Sequence, residues 1–179
     1  MRKFSIFHFP FATKNGFTLI ELLVVIAILG MLVVATFAII NPFEQVKKSD
    51  DAKRKSDFVQ IKNALELYYQ DHGGQYPKSS TNYQIINTVG INNTTLLWGS
   101  PWPPYMNMLP RDPLPTNSYV YYSPNGQTYY LYASLERGRS DSQSCNKGNA
   151  CASLSQNGIP ANACGGICNY GISSPNVTP

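Results

Sequence analysis

The sequence predicts an α+β protein, in which a long N-terminal helix packs against a small antiparallel β-sheet and a cysteine-bearing loop region ends the chain. Three observations predict this class. Residues 17–40 form an apolar run in which Glu21 is the only charged residue. Residues 43–71 are highly charged but keep an apolar stripe at helical spacing. Tyrosine-rich segments on both sides of residues 124–126 read as two strands joined by a turn.

The composition excludes two broad classes of protein. The chain has 179 residues, a formal net charge of +4 and 43% hydrophobic residues. Its basic residues form no long stripe, so direct binding of nucleic acid is not expected. The concentration of apolar residues at 17–40 excludes a uniformly soluble protein.

The apolar run at 17–40 is long enough to cross a membrane. As a helix it would extend about 36 Å, against a hydrocarbon core of roughly 30 Å. Arg2, Lys3 and Lys14 precede the run, and residues 1–16 contain no acid. Because basic flanks stay on the cytoplasmic side, this leader is predicted to be cytoplasmic and the rest of the chain to lie beyond the membrane.

A second, amphipathic helix is predicted to follow. Pro42 should kink the chain, because proline lacks a backbone donor and crowds the preceding turn. The helix should then run to about Asp71, where His72 and two glycines end it. Its apolar stripe consists of Val46, Phe58, Ile61, Leu65 and Tyr68.

A β-hairpin is predicted around Pro124-Asn125-Gly126, because Asn-Gly favours a tight turn. Pairing across that turn should give one face that packs on the helix and one opposite face. The helix-facing set is Val120, Tyr122, Tyr129 and Leu131, extended by Ala133 and Leu135. The opposite set is Tyr119, Tyr121, Tyr130 and Tyr132. Core packing is the favoured reading of these tyrosines, and a carbohydrate-binding or adhesive surface is the alternative. Residues 81–98 are too weakly patterned for a prediction.

The region after Gly138 is predicted to be irregular loop held by cysteine pairs. Cys145, Cys151, Cys164 and Cys168 lack the paired C-x-x-C spacing of a zinc ribbon, so zinc is the less favoured reading. An even number of cysteines beyond the membrane favours two disulfides. Three connectivities are possible, and economy of loop length favours Cys145 with Cys151 and Cys164 with Cys168.

The sequence predicts no enzymatic activity. Lys53-Arg54-Lys55 lies among acidic residues, so it is interpreted as a solvated helix face and not as a nucleic-acid site. Neither His8 nor His72 has a Ser-His-Asp, Cys-His or metal-ligand pattern around it.

Glu21 needs an explanation, because a carboxylate near the bilayer centre costs about 2.5 to 3.5 kcal/mol on insertion scales. If the chain were cut between Gly16 and Phe17, the new ammonium at Phe17 would lie one helical turn from Glu21. In a staggered array the carboxylate would meet the ammonium of a neighbour, which makes Glu21 a predicted assembly register. The alternatives are a tolerated polar residue near the membrane interface and, for the whole run, an ordinary signal peptide cut after Ala38.

Residues 14–25, which read KNGFTLIELLVV, resemble the cleavage and methylation motif of type IV prepilins and type II secretion pseudopilins. The resemblance implies that a prepilin peptidase cuts after Gly16 and methylates the amine of Phe17. Glu21 then occupies the fifth mature position. The leader is longer than many in the family and unusually aromatic.

The resemblance continues into later segments and favours the major pseudopilins. Residues 57–77 are similar to the stalk end of those proteins, and LPRDP at 109–113 looks like their Pro-x-Asp-Pro segment. Many major pseudopilins carry an acidic calcium-binding loop near the C-terminal end. Here only Glu136 and Asp141 follow Asp112, so no cofactor is expected, although calcium stays open.

The resemblance implies a pilin fold with four parts. These are a leader at 1–16 that is removed, a transmembrane and filament-core helix at 17–40, an amphipathic stalk helix at 41–76 and a head domain at 77–179. The chain would cross the inner or cytoplasmic membrane once, with its C-terminal domain extracytoplasmic.

The implied function is that of a structural filament subunit, first of all a major pseudopilin whose polymerisation drives protein export in type II secretion. Its partners would be further copies in a helical filament, prepilin peptidase, an inner-membrane assembly platform and the membrane. One alternative is a type IV pilin for adhesion, motility or DNA uptake. Another, of a different class, is a membrane-anchored binding module.

Overall fold

A computed structural model describes residues 16–88 and 93–179, with only the backbone of residues 37–40. The predicted leader, apart from Gly16, lies outside the described residues. The chain divides into two compact units, one ending at Pro42 and the other running from Phe43 to Pro179. The second unit contains the sheet, as the predicted α+β class requires.

The first unit contains helix α1, Leu19–Ile40. Over Leu19–Thr36 its mean hydropathy is 2.8, and none of that stretch is buried within the protein. By length and composition it can cross a membrane. The helix ends at Asn41, whose φ of 43° is left-handed, a conformation that asparagine tolerates better than most residues.

Helix α2, Pro42–Asp71, starts directly after this break. Proline suits the first position of a helix, because its missing N–H would have had no partner there. The helix ends near the predicted position, where Gly73 and Gly74 take positive φ values of 64° and 79°. Most of the predicted stripe is buried, but Val46 is exposed, since the sheet covers only the later part of the helix. The buried apolar face is Phe58, Ile61, Ala64, Leu65 and Tyr68.

Two small antiparallel sheets complete the second unit. Strands β1, Ile86–Asn87, and β2, Thr94–Thr95, form a two-stranded sheet in the region that carried no prediction. Strands β3, Val120–Tyr122, β4, Tyr130–Ala133, and β5, Tyr170–Ser173, form a three-stranded sheet in the order β3-β4-β5.

The C-terminal region has more regular structure than predicted. It contains 3₁₀ turns at Gly138–Ser140 and Cys145–Gly148, helix α3 at Ala152–Gln156 and the strand β5. The prediction of irregular loop was therefore wrong for these segments. Each is three to five residues long, too short to show a hydrophobic period.

The predicted hairpin exists, but its register is shifted by one residue. A two-residue turn at Asn125-Gly126 would pair Val120 with Leu131, whereas the structure pairs Val120 with Tyr132. The loop is wider because Gly126, at φ 77°, makes a non-local contact. Its carbonyl oxygen accepts a hydrogen bond of 2.8 Å from the backbone N–H of Tyr76.

This shift exchanges the two faces of β3. Tyr121 now lies opposite Leu131 on the face that packs on α2, and Val120 and Tyr122 do not. The helix-facing side chains are Tyr119, Tyr121, Tyr129, Leu131, Ala133 and Leu135. The predicted helix-facing positions were therefore wrong on β3 and correct on β4.

The C-terminal region covers the other face of the sheet. Val120 and the fully buried Tyr132 pack there against Leu154, Ile159 and the half-cystines. Of the four tyrosines predicted to lie opposite the helix-facing set, only Tyr130 is partly exposed, so these tyrosines pack in the core and the alternative of an exposed tyrosine surface was wrong. The sequence pattern did not predict this packing, because the C-terminal region that covers the sheet has no hydrophobic period of its own.

Two disulfides hold this cover in place. The structure joins Cys145 to Cys151 and Cys164 to Cys168, so all four cysteines are paired. Three of the four half-cystines are buried in the hydrophobic cluster that Val120, Tyr132, Leu154 and Ile159 form on this face of the sheet. Because both loops are short, each bond restrains local structure more than the whole chain.

Candidate functional site

The first candidate site is the junction before α1. Phe17 is 79% exposed, and within the described residues no atom beyond its chain neighbours lies within 4 Å of the position that a Cβ on Gly16 would take. With respect to this described part of the chain, the peptide bond between Gly16 and Phe17 lies in open surroundings. An open junction is what a protease needs in order to reach a scissile bond.

Glu21 lies in the first turn of α1 and forms a capping box with Thr18. The backbone N–H and the hydroxyl of Thr18 donate to Glu21 Oε2 at 3.0 and 2.7 Å. The Glu21 N–H donates in return to Thr18 Oγ1 at 3.3 Å. In a single copy of the chain the Glu21 carboxylate thus satisfies the backbone N–H of Thr18, and the Thr18 hydroxyl oxygen satisfies that of Glu21, which would otherwise be unpaired at the helix start.

The charge of Glu21 is also favourably placed with respect to the helix itself. A carboxylate in the first turn faces the positive end of the helix dipole. Among the described residues, no hydrogen bond reaches Glu21 Oε1. This oxygen can therefore accept a further donor while Oε2 retains the cap.

The surface of α1 is the second feature of this site. Large apolar side chains are exposed around the helix from Leu19 to Val34. The whole of this surface, with more than ten exposed apolar side chains, is larger than the patch of a few hundred Å² that a water-soluble monomer usually exposes. Lipid or other apolar protein surfaces must cover it.

The second unit contains a buried ion cluster centred on Arg54, whose exposed fraction is 0%. Arg54 Nε and Nη2 donate to the two carboxylate oxygens of Asp112, each at 2.9 Å. Arg54 Nη1 donates to Asp51 at 2.8 Å and lies 3.8 Å from Glu136. Backbone N–H groups of Glu136 and Arg137 also donate to Asp51, both at 2.9 Å.

The cluster fastens α2 to the loop before β3 and to the segment after β4. Burial alone would lower the pKa of Arg54, but its bonds to Asp112 and Asp51 raise the pKa above the ordinary value. The guanidinium therefore stays charged. A buried charge is tolerated only when it is paired and hydrogen-bonded, as it is here.

The interpretation of Lys53-Arg54-Lys55 as a solvated face was thus wrong for Arg54. Its neighbours differ, since Lys53 is exposed and Lys55 pairs with Asp141 at the surface. The partner of Arg54, Asp112, lies 58 positions away. The sequence signal available for it was the Pro-x-Asp-Pro segment, in which a carboxylate is held between two rigid prolines.

A third buried carboxylate, beside those of Asp51 and Asp112, lies close to the cluster. Asp57 accepts a hydrogen bond of 2.7 Å from the hydroxyl of Tyr119. Burial raises the pKa of Asp57, although the Tyr119 hydrogen bond and the charge of Lys53 oppose it. Within the described part of the chain, no group of three or more His, Cys, Asp or Glu side chains is arranged to hold a metal ion.

Two protein families match the chain. The prokaryotic N-terminal methylation motif matches residues 12–37, and the type II secretion system (T2SS), protein G, family matches residues 41–150. The second match covers more than half of the chain. Residues 151–179, which include β5 and the Cys164–Cys168 disulfide, lie outside it.

Several curated relatives bear the name type II secretion system core protein G. The protein of Vibrio cholerae serotype O1 is 34% identical over 111 residues, which cover 62% of this chain and 72% of the relative. That of Aeromonas hydrophila is 34% identical over 106 residues, 56% of this chain and 67% of the relative. That of Escherichia coli (strain K12) is 32% identical over 126 residues, which cover 65% of this chain and 77% of the relative.

No solved structure matches the chain at a significant level. The resemblance seen in the sequence motifs agrees with both family matches, which together extend from the leader to the first disulfide. Neither match depends on the other, because they cover separate residues. On this evidence the chain belongs to the type II secretion system protein G family and carries a prepilin-type methylation motif at residues 12–37.

Proposed function

We propose that this chain is the major pseudopilin of a type II secretion system, a structural subunit that polymerises to drive protein export. The observation that carries the proposal is the protein G match over residues 41–150, next to a methylation motif over 12–37. The relatives that match are all named as core protein G of this system. The role is structural and not enzymatic.

Processing is the first step of the proposed function. A prepilin peptidase cuts after Gly16 and methylates the new amine of Phe17. The open surroundings of this junction support the step. The N-terminal apolar helix then anchors the protein in the inner membrane by a single pass, with the head on the periplasmic side.

Assembly is the second step. The exposed apolar helices α1 of neighbouring copies bundle into the filament core, after extraction from the membrane at an inner-membrane assembly platform. The Phe17 ammonium of one copy pairs with the Glu21 carboxylate of another. The free Oε1 of Glu21 supports this pairing, because it can accept the new donor without loss of the Thr18 cap.

Gene deletion in the native host tests the function. Loss of the chain should retain the secreted proteins in the periplasm, and a plasmid copy should restore their release. Overproduction should give filaments that contain this chain. Normal secretion without the chain would contradict the proposal, and loss of surface pili or motility alone would favour a type IV pilin.

A further inference from the structure

Helix α2 carries an uncharged strip on the side away from the sheet. The strip consists of six exposed residues: Ala52, Ser56, Val59, Asn63, Leu67 and Gln70. Their spacing of three and four residues keeps them on one face of the helix. At 1.5 Å per residue, the strip is about 27 Å long.

The lack of charge on this strip is unusual for its setting. Residues 52–70 contain six charged side chains, and none of them lies on the strip. Two aliphatic side chains on it, Val59 and Leu67, are 58% and 51% exposed. A helix face that only meets water normally carries charged residues, so this strip is suited to contact with protein.

The head of the same chain exposes two apolar side chains at or next to a cleft of mixed lining, which also includes Lys53, Arg111 and Asp112. Met108 is 64% exposed and lines an open cleft of about 540 Å³ together with Lys53 and Trp98. Leu97, next to Trp98 in sequence, is exposed as well. Since Lys53 lines the cleft, Met108 lies level with that position of α2.

We propose that the uncharged strip on α2 of one copy contacts a second copy at the edge of the cleft where Met108 is exposed. The inference rests on the proposed filament function and specifies its head-to-stalk contact. From Lys53, Val59 is six residues and Leu67 is fourteen residues further along α2, so the second copy is displaced by about 9 to 21 Å. The displacement is toward the C-terminal end of the helix that it touches.

Strip and cleft are different surfaces of the chain, so the contact is heterologous. A heterologous contact that does not close into a ring generates an open helical filament.

Cysteine cross-linking in assembled filaments tests the contact. All four native cysteines are in disulfides, so a chain with Val59→Cys and Met108→Cys adds one reactive pair. Oxidation should give covalent ladders of this chain. The matched control pairs Val59→Cys with Ile167→Cys, which is exposed but lines a different cleft, and it should give none.

Three results would overturn the contact. They are filaments without ladders, equal ladders from the control pair, and a cross-link from Val59→Cys to a different protein. Each leaves the proposed function intact if filaments and secretion are normal. Failure of the unmodified chain to form filaments, with secretion independent of it, would instead reject the function.

A charge placed on the strip provides a second measurement. Asn63→Glu should reduce filament yield at least tenfold while the amount of folded subunit in the membrane is unchanged. Gln127→Glu introduces the same carboxylate at an exposed turn and should assemble normally. Equal yields from the two variants would contradict the proposed contact.

Discussion

Arg54 on α2 and Asp112 in the loop before β3 are joined by two parallel hydrogen bonds of 2.9 Å, although 58 positions separate them in the sequence. Both side chains are fully buried. The planar guanidinium matches both carboxylate oxygens, which fixes orientation as well as distance. The pair therefore sets the position of the loop and of the following strand against the helix.

The first prediction concerns this pair. Arg54→Ala should destabilise the protein by about 3 to 5 kcal/mol, because it leaves two buried carboxylates, Asp51 and Asp112, without their cation. Lys53→Ala, next to it but exposed, should change stability by no more than about 0.5 kcal/mol. Unfolding followed by circular dichroism in detergent measures both. Equal effects would show that the buried pair is not what holds the loop.

Long periodic segments were predictable from the sequence, and short or non-local features were not. Both helices follow from patterns of more than twenty residues, which outweigh local exceptions. The burial of Arg54 depends on Asp112, and the hairpin register depends on the contact between Gly126 and Tyr76. Such contacts exist only in the folded chain. The residues of the Glu21 site are neighbours in the sequence, so they could be predicted from the sequence alone.

The second prediction tests whether the C-terminal region packs on the second face of the sheet. Leu131→Ala should cost about 2 to 5 kcal/mol and Tyr132→Ala about 3 to 5 kcal/mol, because both side chains are fully buried on opposite faces of β4. Tyr130→Ala should cost clearly less, since its side chain is partly exposed. Thermal melts under oxidising conditions measure the three. A mild effect of Tyr132→Ala would mean that the C-terminal cover does not pack on the sheet.

The third prediction concerns the pH dependence of stability. Burial raises the pKa of Asp57 in the folded state above its unfolded value, so the folded state binds the proton more tightly. The resulting stability is present below the unfolded pKa and is lost as pH rises through the folded pKa. At neutral pH the ionised carboxylate is therefore a cost. Asp57→Asn, which keeps a carbonyl acceptor for Tyr119, should raise the melting temperature there.

The comparison across pH identifies the cause. The gain from Asp57→Asn should shrink as pH falls from neutral through the raised pKa of the native carboxyl. Asp50→Asn on the same helix is the control for the loss of one negative charge. A gain from Asp57→Asn that stays constant across this range would assign the effect to packing and not to ionisation.

The fourth prediction concerns the mature terminus. Protein purified from its native host should begin at Phe17 and carry one methyl group on its α-amine, since residues 12–37 match the methylation motif. Intact-mass measurement and N-terminal peptide sequencing determine both features. Gly16→Leu, which places a branched side chain at the cut, should leave the leader attached. A mature chain that begins at Ile39 would instead indicate an ordinary signal peptidase.

The fifth prediction separates the two roles that Glu21 combines, the helix cap and the assembly charge. Glu21→Gln retains an acceptor for the Thr18 donors but has no charge, and glutamine serves in a capping box as glutamate does. Thr18→Ala removes the hydroxyl half of the capping box and keeps the carboxylate. Glu21→Ala removes the carboxylate half of the box together with the charge.

If the charge meets a neighbour's Phe17 ammonium, Glu21→Gln and Glu21→Ala should each reduce filament yield at least about tenfold, equivalent to roughly 1.4 kcal/mol. Thr18→Ala should assemble nearly as well as the unmodified chain. Membrane insertion should be intact or slightly improved in both Glu21 variants, because an uncharged side chain is cheaper to transfer into lipid. Sheared filaments and membrane fractions, quantified from the same cells, give the two readouts. Normal filaments from Glu21→Gln with loss in Thr18→Ala would assign the role to the cap, and the ammonium pairing would be rejected.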